Sequence, residues 1–161
     1  MSNVAVEELK KSFPAVEFVY PLAIASYEVM QKRLDALDGR LQTLLTFIVS
    51  VSLAIPVVAS NKGLSFRSGW FIAAICAFFA SVGVGTYARL CKKLVVIDPG
   101  QLFTDYLDMS EWEFKKDTIY WAGVNFKANQ EMIDWKAKLA NITAMLFILE
   151  AVLVAAWVVA A

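Results

Sequence analysis

Long uncharged stretches divide a chain that is otherwise rich in charge. Residues 41–60 and 70–88 contain no charged side chain, and residues 139–161 contain one, Glu150. At 1.5 Å per residue, a helix of about 20 residues crosses the roughly 30 Å hydrocarbon core of a bilayer. The pattern therefore predicts three transmembrane helices, with a short loop at 61–69 between the first two.

A regular apolar pattern leads into the first stretch. Apolar or near-apolar residues recur at alternating spacings of three and four, as in the seam of a coiled coil: Tyr20, Ala23, Tyr27, Met30, Leu34, Leu37, Leu41, Leu44 and Ile48. Two interpretations are open. The seam joins copies of the chain through Tyr27, Met30, Leu34, Leu37 and Leu41, or it packs against the second polar region of its own chain.

The second polar region, residues 89–138, carries a helix start signal. Ser110 and Glu113 have the spacing of a capping box, and no proline follows before the third stretch. We therefore expect an all-α membrane protein with three transmembrane helices. Its long helices extend through regions 1–40 and 89–138 into a cytoplasmic helical stalk.

The basic residues predict the orientation. Region 1–40 holds five Lys and Arg, the 61–69 loop holds two, and region 89–138 holds eight. Because positive charge concentrates on the cytoplasmic side, the N-terminus and region 89–138 are expected inside, and the loop and C-terminus outside.

Composition narrows the class of function. Of 161 residues, 59% are hydrophobic, against about 45–50% in soluble domains. Fifteen basic and fifteen acidic residues balance, so no net charge favours binding of duplex nucleic acid. There is no histidine and there are two cysteines, so neither a catalytic set nor a metal site is predicted. We expect a protein that is not an enzyme.

Glu150 is a costly residue for a membrane span, and it belongs to a row. Polar residues recur every seven positions at Asn129, Lys136, Thr143 and Glu150. The first span offers a complementary hydroxyl face at Thr43, Thr46 and Ser50. Either the row, with Ser50, lines or gates a pore, or a protonated Glu150 is hydrogen-bonded to a hydroxyl inside a closed bundle.

Small residues at every fourth position form a ridge on the second span: Ala73, Ala77, Ser81 and Gly85. Such ridges let membrane helices approach closely. The ridge packs within the subunit or between subunits. In the second case, Ala77, Ser81 and Gly85 belong to the oligomer interface together with the seam.

Basic pairs in the first region favour anionic partners. Lys10 with Lys11 and Lys32 with Arg33 either contact anionic lipid headgroups or bind an anionic ligand such as a nucleotide. Nearby aromatics for base stacking are Phe13, Phe18, Trp112, Tyr120 and Trp121. Nothing resembles a glycine-rich phosphate loop.

The segment YEVMQKRLDALDGRLQTLLTF enters a two-span hairpin, which a helical return follows. Over residues 20–140 this plan resembles the small bacterial membrane effectors of anti-phage defence, of the SLATT and Pycsar types. The resemblance implies a homo-oligomer in the bacterial inner membrane whose opening depolarises the cell. It also implies control by a nucleotide second messenger from a nucleotidyltransferase, which opens the assembly or holds it shut.

Three spans cannot line an ion path alone, so a pore requires several copies, and we expect a tetramer surrounded by membrane lipid. The alternative is a non-conducting scaffold or accessory subunit whose cytoplasmic helices dock a partner protein.

Overall fold

The computed structural model describes residues 13–62, 65–90, 94–95 and 108–160. In these residues the regular elements are three α-helices: α1 (Val16–Lys62), α2 (Gly69–Leu90) and α3 (Glu111–Val159). This confirms the expected all-helical fold. Each helix contains an 18-residue window with a mean hydropathy of 2.1, 1.9 and 2.4, respectively, so all three are long and apolar enough to span a membrane.

Two of the helices are much longer than a bilayer is thick. α1 has 47 residues and α3 has 49, which corresponds to about 70 Å each. A hydrocarbon core of about 30 Å accounts for less than half of that length. Both helices therefore continue well beyond any membrane span, as the predicted stalk requires.

The start of α3 has the capping box that the sequence predicts. The backbone N–H of Ser110 donates to Glu113 Oε2 over 3.1 Å, and the Glu113 N–H donates to Ser110 Oγ over 3.3 Å. These bonds occupy N–H groups that have no partner inside the helix. Hydrogen bonds from Ser110 also lower the pKa of Glu113 from its ordinary value.

The chain divides into two compact units. Unit 1 comprises Met1–Arg33 and Lys93–Ile133, and unit 2 comprises Leu34–Lys92 and Asp134–Ala161. Within unit 1, α1 and α3 pack through aromatic pairs, such as Tyr27 with Trp121 at 5.4 Å between ring centroids. The ion pair of Lys115 with Glu17, at 2.6 Å, joins the same helices.

Unit 2 packs its three helices around small residues of α2. The buried residues of that helix recur at spacings of three and four: Ala74, Ala77, Ser81, Gly85 and Ala88. Ala77, Ser81 and Gly85 thus lie inside the chain, and the fourth member of the predicted ridge, Ala73, is exposed while Ala74 is buried. The buried part of the ridge therefore packs within the subunit, and Ala73 lies outside that packing.

Gly85 marks a close approach of the helices in unit 2. A Cβ atom added at this position would lie 2.9 Å from Leu45 Cδ2 and 3.2 Å from Thr143 Cγ2. These distances are shorter than ordinary van der Waals contact, so only glycine fits without a shift of its neighbours. About one helical turn after Gly85, Ala88 packs with Leu41 and Ala140 in a buried cluster.

Candidate functional site

The polar row of α3 is buried throughout the structure. In unit 2, Thr143 and Glu150 are 0% exposed and Lys136 is 2% exposed, and in unit 1 Asn129 is 1% exposed. Their seven-residue spacing keeps them on nearly one face of the helix. We call Lys136, Thr143 and Glu150 the polar column of unit 2. Because the column lies inside the chain's own packing, any hydrogen bond that its side chains make comes from residues of the same chain.

Glu150 has one hydrogen-bonded oxygen and one without a partner. Ser52 Oγ on α1 donates to Glu150 Oε1 over 2.7 Å. Glu150 Oε2 is buried and makes no hydrogen bond with any residue that the structure describes. Transfer of an unpaired polar atom out of water costs free energy. The arrangement therefore leaves an acceptor available within unit 2.

A pocket of about 240 Å³ adjoins this pair. Its walls come from α1, α2 and α3 and include Ser52, Pro56, Phe71, Phe78 and Glu150. We call it the carboxylate pocket. It combines one carboxylate and one hydroxyl with mostly apolar and aromatic walls, which is the usual composition of a small-molecule site.

Lys136 is held by Asp38 of α1. Its Nζ lies 3.0 Å and 3.4 Å from the two carboxylate oxygens of Asp38. The lysine side chain is 3% exposed and the aspartate side chain 36% exposed, so the ammonium depends on this one carboxylate among the described residues. The pair joins α1 to α3 inside unit 2.

Asn129 organises unit 1. Its amide nitrogen donates to Tyr27 Oη over 2.9 Å and to the Val95 carbonyl over 3.3 Å, and its oxygen accepts from the Val95 N–H over 3.0 Å. Burial raises the pKa of Tyr27, and the hydrogen bond from Asn129 opposes that shift. These partners satisfy the buried amide of Asn129, so a structural role is enough to explain why a polar residue is buried there.

The predicted pore residues thus divide into two groups. Asn129, Lys136, Thr143 and Glu150 lie inside one chain, where they face partners of that chain; Thr143 donates to the Leu139 carbonyl over 2.9 Å. For them to line a path between copies, the helices of each chain would have to separate. Ser50 lies on the surface.

Ser50 shares that surface with Thr43 and Thr46, which are also exposed on α1. We call these three residues the hydroxyl stripe. Thr43 Oγ1 donates to the Gly39 carbonyl and Thr46 Oγ1 to the Gln42 carbonyl, each over 2.9 Å. The stripe therefore does not face Glu150, and the predicted complementary face of the first span is wrong.

The partner that sequence reasoning missed is Ser52. The signal was present, because Ser52 stands four residues after the buried Ile48 and so shares its face, whereas Ser50 stands two residues after it. A step of four from Ile48 reaches Ser52, whereas the three–four alternation of the seam would continue at Val51, which is exposed.

The predicted coiled-coil residues contact their own chain. Met30 and Leu41 are 5% and 0% exposed, and Tyr27, Leu34 and Leu37 are partly buried. Asp38, which stands next to Leu37 on α1, binds Lys136 of its own chain. The positions therefore have the packing of the intrachain alternative, and as they stand they offer little free surface for a second copy.

Two of the four predicted ligand residues belong to the part of the chain that the structure describes. Lys10 and Lys11 lie outside the described residues. Lys32 and Arg33 are exposed on α1 in unit 1. A second pocket of about 200 Å³ in the same unit has Tyr27, Gln31 and Trp121 in its walls, so an aromatic surface and a basic pair occur in one unit.

The part of the chain that the structure describes has no group of three or more metal-ligating side chains. Comparison with protein-family models, with curated proteins and with solved structures finds no match.

Proposed function

We propose that this protein is a homo-oligomeric membrane effector that forms a regulated pore. The observation that carries the proposal is the hydroxyl stripe. Thr43, Thr46 and Ser50 are exposed on α1, within a stretch that is long and apolar enough to cross a membrane. In a single copy these hydroxyls would face lipid, whereas around a central axis they would face water.

Hydroxyl-lined faces suit a water-filled path. Each threonine of the stripe uses its proton in a bond to its own helix backbone, which leaves oxygen lone pairs directed outward. Such oxygens can replace part of the hydration of a passing ion. The three helices of one chain pack on one another through their inner faces, so a path requires several copies. We propose a tetramer.

We further propose that a cytoplasmic anion controls the assembly in a bacterial anti-phage defence. Lys32 and Arg33 support control by an anion, because both are exposed and neither forms an ion pair with a described residue. A nucleotide carries phosphates for such a basic pair and a base for stacking on aromatic side chains. Its binding opens the pore or holds it shut.

The test is ion flux through the purified protein in liposomes, followed with a dye that reports membrane potential. The double variant Thr46→Val and Ser50→Ala removes two hydroxyls at nearly constant volume, and we expect several-fold slower flux with an unchanged particle mass. Thr86→Val is the matched control, because Thr86 is an exposed hydroxyl of α2 outside the stripe. Equal flux in all three proteins would reject the stripe as the lining.

The second candidate is a non-conducting scaffold that docks a partner protein. One observation favours it: the seam residues of α1 are buried or partly buried against their own chain, so that their packing needs no second copy. Overexpression separates the two functions. A pore collapses the membrane potential of the cell and is toxic, whereas a scaffold leaves the potential unchanged.

A further inference from the structure

The carboxylate pocket has more hydrogen-bond acceptors than donors. Ser52 Oγ supplies one donor, to Glu150 Oε1, and Glu150 Oε2 has no partner among the described residues. Pro56 stands four residues after Ser52 and has no N–H to donate to the Ser52 carbonyl. Both residues belong to the pocket wall. A ligand that fits this chemistry brings several N–H donors.

From this arrangement we infer that the pocket binds a small lipophilic amine in its ammonium form. An ammonium group offers a donor to Glu150 Oε2, which has none among the described residues, and its charge complements the carboxylate of Glu150. The rings of Phe71 and Phe78 in the same walls attract cations through their faces.

The size of the pocket limits the apolar part of the ligand. Its volume is about 240 Å³. A dry cavity of about 150 Å³ is enough for benzene, and drug-sized ligands use pockets of about 300–1,000 Å³. An amine with one ring system, monocyclic or compactly polycyclic, fits between these limits.

The rim of the pocket indicates the route of entry. Phe79 is 66% exposed and Ile75 38% exposed, and both contribute to the walls. They belong to α2, which has the length and hydropathy of a membrane span. The surface around the rim is therefore surrounded by lipid, and the ligand reaches Glu150 from the bilayer. This explains why the amine has to be lipophilic.

The experiment measures binding of 1-aminoadamantane and of its uncharged counterpart 1-adamantanol to the protein in phosphatidylcholine nanodiscs, with empty nanodiscs subtracted. We expect saturable binding of one amine per chain and weaker binding of the alcohol. Glu150→Gln keeps the shape and an acceptor for Ser52 but removes the charge, so the amine should lose about tenfold or more in affinity while the alcohol changes little.

A second pair of variants tests the place of binding without changing the charge. Ile75→Trp adds bulk at the rim and should weaken the amine, whereas Ile72→Trp makes the same change at an exposed position of α2 outside the pocket. Equal affinities for amine and alcohol, or an amine affinity unchanged in Glu150→Gln or in Ile75→Trp, would mean a lipid-filled apolar groove and overturn the proposal. Absence of saturable binding to the wild type would overturn it as well. Binding is read directly, so its result stands whether or not the chain conducts ions.

Discussion

Two glycines of α2 stand two residues apart and differ in their surroundings. A Cβ at Gly85 would meet Leu45 at 2.9 Å and Thr143 at 3.2 Å, whereas a Cβ at Gly83 would meet nothing within 4 Å. We expect Gly85→Ala to destabilise the fold by about 1–3 kcal/mol, since Leu45 can turn away but the β-branched Thr143 cannot easily do so.

Gly83→Ala is the matched control for that change. Alanine favours a helix over glycine by up to about 1 kcal/mol, so this variant should be neutral or more stable than the wild type. Unfolding of the purified protein in a detergent titration, followed by circular dichroism, compares the two. A similar loss of stability in both variants would contradict the close packing at Gly85.

Single residues also show which parts of the candidate site can be predicted from the sequence alone. The seven-residue row predicts correctly that Glu150 shares a face with Lys136 and Thr143, because helical period alone fixes that relation. The partner of Glu150 was missed, since it depends on how α1 is rotated about its axis. That rotation follows from the packing of Leu41 and Ile48, both 0% exposed. Without it, the sequence does not decide whether Ser50 or Ser52 faces Glu150.

At the level of the helices, the pair of Asp38 and Lys136 joins α1 to α3 in unit 2 with unequal burial. The lysine side chain is 3% exposed and the aspartate side chain 36% exposed. Removing the aspartate leaves a buried ammonium without its partner, whereas removing the lysine leaves a carboxylate that reaches water. We therefore expect Asp38→Asn to destabilise by about 1–3 kcal/mol, and Lys136→Met by clearly less because its stem packing is retained.

The double variant Asp38→Asn with Lys136→Met completes the cycle. It should be more stable than Asp38→Asn alone, because the unpaired charge is gone and only a neutral amide replaces the carboxylate. The same detergent titration gives the three free energies of unfolding. Additive losses would mean that the two side chains do not interact, and the 3.0 Å contact would then carry no stability.

The regular spacing along α1 is ambiguous in a way that only packing resolves. A three–four repeat of apolar residues serves a seam between copies and a seam within one chain equally well. The structure supplies α3 as the neighbour of Tyr27 through Trp121 and Asn129. Sequence predicts that such a stripe is buried, but it does not identify the surface that buries it.

For the whole molecule, the fold class followed from the sequence because each cue acts locally. Uncharged stretches of about 20 residues, the capping box at Ser110 and the absence of proline between it and the third stretch determine the three helices. The pocket beside Glu150 did not follow, since it is formed by side chains far apart in the chain, such as Ser52 and Phe78. Function depends on such distant combinations, which no local pattern encodes.

The orientation of the molecule in the membrane is the remaining property that the charges predict. Thirteen Lys and Arg lie in regions 1–40 and 89–138 and two in the 61–69 loop, so we expect the N-terminus inside and the C-terminus outside. Alkaline phosphatase, which is active only outside the cytoplasm, should be active when fused after Ser68 or at the C-terminus, and inactive when fused after Gly100. An inactive C-terminal fusion beside an active loop fusion would mean that α3 does not cross the membrane, and Glu150 would then not be an intramembrane residue.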